Sequence, residues 1–252
     1  MRIAIFSDVH GNLSSLEAVL ADIERHKPDQ VIFAGDLCYL GARPAECLQL
    51  VRDRRILSVV GNTDEWLTGQ AEPPEPRKPT VDWARACLSA DEREWLNRLP
   101  FAVRISPTPR AAEDLLIVHA NPRNVDDIIF PDTDTQIARY GEVRQSDVDL
   151  TPLLDGVEAG VIAYGHLHVP GIRQWRSLTL VNISSVNIPG DGDGRAKYAL
   201  LEWRANRWKV THHRVAYDAT TEAAAFRTAR PPDWEQIVAS LDTQGYYYPQ
   251  QI

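Results

Sequence analysis

Cysteine is scarce in this chain, with three in 252 residues, Cys38, Cys47 and Cys87, and no C-x-x-C pair. An odd, scattered set argues against a disulfide framework and points to a reducing compartment. Long hydrophobic runs are missing too. No stretch of 18 apolar residues occurs, so no membrane-spanning segment is expected. The chain starts with neither a basic n-region nor an apolar h-region with a cleavage site, and the expected location is cytoplasmic. Positive charge is in short supply, with 27 Lys+Arg against 35 Asp+Glu and a net charge of -8. That balance disfavours a broad, charge-driven track for nucleic acid or anionic membrane, while leaving room for a local cationic site. No internal repeat is visible.

What is present is an ordinary globular composition, 44% hydrophobic and 25% charged, long enough for a sizeable core. Arg2–Ser7 reads as a short buried strand, Leu13–Arg25 as an amphipathic helix capped by Asn12 or Ser14, and Gln30–Ala34 as a second strand. Pro44 opens a helix through Arg52, and Ile56–Val60 is a third strand. The alternation predicts parallel βαβ units. Four prolines and interleaved charges mark residues 70–79 as a surface loop. Two short helices are expected over Thr80–Leu88 and Ala90–Leu99, and a pair of strands over Phe101–Ile105 and Leu115–His119. Between Arg123 and Asp155 the pattern predicts loop and one or two helices. Strands follow at Gly160–Tyr164, Gly171–Trp175, Leu178–Asn182, Ala196–Trp203 and Trp208–Arg214, the later ones joined by short polar turns that predict antiparallel pairing. Thr220–Leu241 reads as helix divided by Pro231-Pro232, and Gly245–Ile252 as a loosely packed tail.

The chemistry sits where the strands stop. Asp8 and His10, Asp36, Asn62, His119, and His166 with His168 each follow an apolar run. Four of the seven histidines fall there; His26, His212 and His213 read as structural or exposed. In extended backbone, residues i and i+2 face one side, so Asp8 and His10 are expected to converge on one point. The C-terminal ends of strands are where open α/β sheets hold ligands. Two divalent ions roughly 3.5–4 Å apart can clamp a phosphate and generate hydroxide at neutral pH, given a bridging carboxylate and enough neutral ligands. Two aspartates with four histidines and an asparagine leave such a site cationic inside an acidic protein. Imidazole favours manganese, iron, cobalt, nickel or zinc over calcium or magnesium.

The ordered blocks Asp8-x-His10, Gly35-Asp36, Gly61-Asn62, His119 and Gly165-His166-x-His168 resemble the calcineurin-like metallophosphoesterase superfamily over roughly residues 1–203. Gly35–Glu46, Val118–Arg123 and Asp191–Leu201 are similar to its small bacterial and archaeal phosphodiesterase and phosphatase branch. The resemblance implies an α/β fold (α+β by some schemes), a two-sheet β-sandwich flanked by helices with a dimetal site at strand C-terminal ends. Residues 1–215 would form the phosphoesterase domain and 216–252 a helical extension packed on it. It also implies a ligand scheme, with Asp8, His10 and His168 on one ion, Asn62, His119 and His166 on the other, and Asp36 bridging. Asp36, Asn62 and His119 would take part in catalysis. The cofactor is expected to be two divalent ions, manganese first, with iron, nickel, cobalt or zinc as the other candidates. The reaction would be in-line attack of a metal-bridging hydroxide on a phosphodiester, a phosphomonoester or a nucleotide, and the partner a small phosphoester or nucleotide substrate. The oligomeric state is left open.

Two departures stand out. Many relatives follow Gly-Asn with a proton-donating histidine; here Thr63 stands there, and threonine is a poor general acid. Leaving-group protonation would fall to Asp64, if its pKa is raised, to water or to the substrate, so good leaving groups such as aryl or nucleotide esters are expected. Relatives also tend to carry glycine near Ile183-Ser184-Ser185, a bulkier stretch here. Arg43 and Arg123 are candidate phosphate clamps, and Asn121 either closes an Asx turn or touches substrate. The alternative to an enzyme is a catalytically weak metal-binding scaffold of the same fold.

Overall fold

Alternation of side chains along the first strand sets the layers. In the computed structural model, which describes residues 1–242, β1 (Arg2–Phe6) turns Ile3 and Ile5 to one face and Ala4 and Phe6 to the other. The chain then runs α1 (Leu13–His26), β2 (Gln30–Phe33), α2 (Pro44–Asp53), β3 (Leu57–Ser58), α3 (Asn62–Thr68), α4 (Lys78–Cys87) and α5 (Ala90–Asn97). Next come β4 (Val103–Ile105), β5 (Leu115–Ile117), α6 (Thr133–Tyr140), α7 (Thr151–Leu154), β6 (Val161–Tyr164), β7 (Gly171–Trp175) and β8 (Leu178–Asn182). Two long strands, β9 (Ala196–Arg204) and β10 (Arg207–Val215), and two helices, α8 (Ala219–Ala229) and α9 (Trp234–Asp242), complete it.

The strands form two five-stranded mixed sheets, ordered β10-β9-β1-β2-β3 and β4-β5-β6-β8-β7. β1, β2 and β3 are parallel, with Ile5 opposite Ile32 and Ile32 opposite Leu57. In the second sheet β5, β6 and β8 are parallel. Ile3, Ile5, Ile32 and Val59 pack against Leu115, Ile117, Val161 and Val181, which joins the sheets face to face. The outer face of the first sheet packs Phe6 and Phe33 under Leu16, Val19, Leu48 and the C-terminal Phe226 and Val238. The outer face of the second packs Leu116, Ile162 and Leu180 under Ile129, Leu150 and Leu154. The result is a helix-flanked β-sandwich, as the resemblance implies.

Several expectations need correction. α3 is not legible in the sequence: Gly61 is an N-cap without a side chain, and the Asp64 carboxylate supplies the cap by accepting from the Gly61 amide at 2.9 Å. The stretch 70–79 is not merely surface loop, because Glu75–Arg77 forms a 3-10 turn and Lys78-Pro79 already belongs to α4. The strands after Tyr164 are not one antiparallel series. β7–β8 and β9–β10 are hairpins, but β8 lies parallel to β6 and β9 crosses to pair antiparallel with β1. The Asn12 side chain caps α1 by accepting from the Ser15 amide. The tail Gly245–Ile252 lies outside the described residues.

Candidate metal centre

Each site residue follows a strand end, and the loops that carry them are laced together by main-chain bonds. The Asp8 amide donates to Gly35 O at 2.9 Å and the His10 amide to Asp36 O at 3.1 Å. Asp8 and His10 are not on extended backbone, as the i, i+2 reading required. Their φ angles are 57° and 47°, and Asp36, His166 and His168 also lie in the left-handed region, at 67°, 61° and 61°. Asp and His enter that region more readily than most residues, and strained conformations gather where surrounding structure over-determines them. Here tight reversals, not strand alternation, aim the side chains. Two glycines make room for them. A Cβ on Gly61 would sit 2.1 Å from Asp36 Oδ1, and one on Gly165 would sit 2.2 Å from Asp8 Oδ2.

Backbone carbonyls orient the imidazoles. His119 Nδ1–H donates to Ala34 O at 2.9 Å, His168 Nδ1–H to Ile188 O at 2.9 Å, and His166 Nε2–H to Asp126 O at 2.8 Å. A carbonyl can only accept, so each ring turns its other, unprotonated nitrogen inward. Those inward atoms crowd one another. His166 Nδ1 lies 3.2 Å from His119 Nε2, and His10 Nε2 lies 3.3 Å from His168 Nε2. His119 Nε2 is 3.0 Å from Asn62 Oδ1, and His168 Nε2 is 3.0 Å from Asp8 Oδ1. Where the inward nitrogens of His119 and His168 meet Asn62 Oδ1 and Asp8 Oδ1, and where those of His119 and His166 meet each other, acceptor faces acceptor, which is repulsive unless a cation or a proton sits among them. Donors bound to one ion at about 2.1 Å stand roughly 3.0–3.4 Å apart, so the residues present fit divalent metal. The donors form two overlapping groups, Asp8 with His10 and His168, and Asp8 with Asp36 and His119; Asn62 and His166 lie against His119. Asp36 stands between His119 and His10, Oδ1 3.5 Å from His119 Nε2 and Oδ2 3.9 Å from His10 Nε2.

Burial is the largest influence on the ionisation of these side chains. It pushes the Asp36 carboxyl up to about 7, helped by the Asp8 and Asp64 charges and opposed by His119. It drives His10 and His166 down to about 3, with neighbouring imidazoles adding to the effect. For Asp8 burial also pulls upward, but His168, His119 and His10 outweigh it and hold the carboxyl below its usual range. For His119 burial opposes protonation, while Asp36 and Asp8 outweigh it and raise its pKa.

The centre opens into a cavity of about 300 Å³. Its walls are His10, Asp36, Asn62, Thr63, His166 and His168 on the polar side, and Tyr39, Leu40, Trp66, Pro74 and Ile188 on the apolar side. Trp66 and Tyr39 meet edge to face at 5.7 Å. Arg77 is the one arginine or lysine on the wall among the described residues.

Four sequence-derived candidates lie elsewhere. Asp64 does not face the cavity: its oxygens accept from the Asp36, Leu37 and Gly61 amides at 2.9, 3.0 and 2.9 Å. Burial raises its pKa against those three bonds, yet the carboxyl has no path to a leaving group, and it serves to pin the two loops. Arg43 is ion-paired with the fully buried Glu222 of α8 and donates to Ser14 Oγ at 2.7 Å. Exposed Arg123 donates to Asp155 O. Asn121 closes an Asx turn, accepting from the Arg123 and Asn124 amides at 2.7 and 3.1 Å. The bulkier stretch at Ser184 and Ser185 does not line the cavity; both are buried and donate to His168 O and Asp8 O at 2.8 and 2.9 Å. Sequence reasoning missed Tyr39, Trp66, Pro74 and Arg77. The signal for Trp66 was its place one turn after Asn62; for Arg77 none was available, since the proline-rich loop reads as exterior.

Comparisons with known proteins agree with this fold. A family model described as calcineurin-like phosphoesterase superfamily domain matches residues 1–206. An uncharacterised protein of Methanocaldococcus jannaschii is 27% identical over 238 residues, covering 92% of this chain and 94% of its own length. The crystal structure of a metallophosphoesterase from Sphaerobacter thermophilus is 30% identical, with a TM-score of 0.70 and coverage of 96% of this chain and 99% of that one. A hypothetical protein of Pyrococcus horikoshii OT3 shares the fold at 19% identity and a TM-score of 0.78, with 95% and 97% covered.

Proposed function

This chain belongs to the calcineurin-like phosphoesterase superfamily, and from that premise we propose that it is a binuclear metal-dependent hydrolase of phosphate esters, acting on phosphodiesters first and on nucleotide-type or monoester substrates second. Asp8, His10 and His168 would hold one ion, Asn62, His119 and His166 the other, and Asp36 would reach both. Manganese is the first choice, with iron, cobalt, nickel and zinc suited to the same imidazole-rich set. When bound, the ions supply charge stabilisation at the phosphoryl oxygens and a nucleophile at neutral pH. The observation that carries this reading is the inward crowding of imidazole nitrogens, the unprotonated ones of His119 and His168 against Asn62 and Asp8 oxygens at 3.0 Å and the imidazoles against one another at 3.2–3.3 Å.

The chain's own residues do the rest. The carbonyls of Ala34, Ile188 and Asp126 hold the imidazole tautomers, so the centre is built before substrate arrives. Trp66, Tyr39, Leu40 and Ile188 form a wall beside the centre that suits a flat apolar leaving group, an aryl or nucleobase. Arg77 adds positive charge for an anionic substrate. Thr63 also lines the cavity, and its buried hydroxyl has no hydrogen-bond partner among the described residues. A hydroxyl is a poor acid at neutral pH, so departure of the leaving group without protonation by the protein fits the preference for good leaving groups.

The test is a panel of bis-aryl, mono-aryl and alkyl phosphate esters with nucleotides, run on metal-stripped protein reconstituted with manganese. Bis-aryl phosphate should turn over fastest and alkyl esters slowest. Thr63 also favours a second reading, a catalytically weak scaffold. Metal bound with no turnover of any ester would establish the scaffold and refute the hydrolase.

A further inference from the structure

A second group of metal-type donors lies where the C-terminal end of α1 meets the edge strand β10. Asp22 and His26 stand one helical turn apart on α1, which puts both side chains on one face. His213 comes from β10, opposite Tyr198 of β9 in the ladder. Ligand atoms from Asp22, His26 and His213 all lie within 4.8 Å of one another. His26 Nε2 is 3.7 Å from Asp22 Oδ2. Tyr198 holds two of the three in place. Its hydroxyl donates to Asp22 Oδ2 at 2.8 Å, and its ring stacks on His213 at 4.7 Å between centroids and 9° between planes. His26 packs edge-on against His213 at 4.5 Å. His213 Nε2 is buried with no hydrogen-bond partner among the described residues, a position that costs free energy unless something binds it. The neighbouring His212 is satisfied, its Nε2–H donating to Asn182 O at 2.8 Å.

We propose that Asp22, His26 and His213 bind a further divalent cation, Zn²⁺ first, separate from the metal centre at the strand ends. Two imidazoles and one carboxylate make the donor set of an open, three-ligand zinc site with water completing the shell. The Asp22 and His26 side chains are 22% and 35% exposed, so the ion reaches the site from solvent. Arg25 lies 3.4 Å from Asp22 Oδ1 and competes for it, but its side chain is 77% exposed and swings away at little cost. The ion would clip the end of α1 to the edge of the first sheet, stabilising the fold without touching the reaction.

The full chain is equilibrated with micromolar free zinc and its metal content measured, beside His213→Ala and Asp22→Asn. The wild type is expected to carry one more zinc per chain than either variant, with all three hydrolysing aryl phosphate at equal rates once reconstituted with manganese. Zinc added beyond the first two equivalents should raise the melting temperature of the wild type alone. Should His213→Ala not fold, Asp22→Asn carries the comparison. Equal zinc content in the wild type and the variant overturns the proposal, whatever the activity.

Discussion

Asp36→Asn should make the metal-free protein more stable and the metal-loaded protein less so. The Asp36 carboxylate is 3% exposed, accepts one amide bond from Thr63 at 3.0 Å, and faces the charges of Asp8 and Asp64. Burial raises its pKa from 3.8 to about 7. A carboxyl whose folded pKa exceeds its unfolded one contributes stability below the unfolded value, and loses it as pH rises through the folded value. At pH 8 the metal-free wild type therefore carries the cost of an ionised, unneutralised Asp36, up to roughly 4 kcal/mol by linkage. Asparagine keeps an oxygen for the Thr63 amide and removes the charge. Metal-stripped Asp36→Asn should melt higher than the stripped wild type by up to about 8–16 °C at pH 8, and the gap should close towards pH 4. Manganese at about one hundred times its dissociation constant should stabilise the wild type by about 2.7 kcal/mol per site and the variant far less. Differential scanning fluorimetry across pH, with and without metal, measures both effects. A stripped variant no more stable than the wild type at pH 8, or a gap independent of pH, would refute the reasoning.

Thr63→His should restore a proton donor beside the leaving group, raising turnover of alkyl esters by roughly 10–100-fold while changing aryl esters little; steady-state rates over a leaving-group series report it. Gly165→Ala would place a methyl group 2.2 Å from Asp8 Oδ2 and Ser7 Oγ. It should displace Asp8, lower occupancy of the ion that Asp8, His10 and His168 would hold, and leave circular dichroism intact. Arg43→Ala strands the buried Glu222 charge and should cost roughly 3 kcal/mol of stability, with the Michaelis constant unchanged in the folded fraction; a raised Michaelis constant at full stability would return Arg43 to the phosphate-clamp role.

Much of the architecture was readable because burial writes itself as pattern. Ile3 and Ile5 against Ala4 and Phe6, and the Leu16-Val19-Leu20-Ile23 stripe of α1, mark which face meets which layer. The candidate metal donors were readable for a different reason: Asp, Asn and His recurring at the ends of apolar runs is a placement that a hydrophobic core does not need. What sequence did not carry was contact between distant segments. The i, i+2 argument for Asp8 and His10 brought the two side chains together through the wrong backbone, because a left-handed turn held by Gly35 and Asp36 carbonyls aims them. Arg43 looked like a phosphate ligand until Glu222, 179 residues later, proved to be its partner. α3 was hidden because its cap comes from Asp64, inside the helix. Arg77 reached the cavity wall from a loop whose prolines and charges advertise only solvent.

The central claim is that catalysis needs both groups of donors filled at once. Metal-stripped protein is titrated with manganese while bound metal and bis-aryl phosphate turnover are followed in the same samples. The account predicts negligible turnover before the second site fills, a plateau once Asp8-His10-His168 and Asn62-His119-His166 are both loaded, and no plateau in Asp36→Asn. Full turnover with one ion per chain, or in stripped protein, would contradict it.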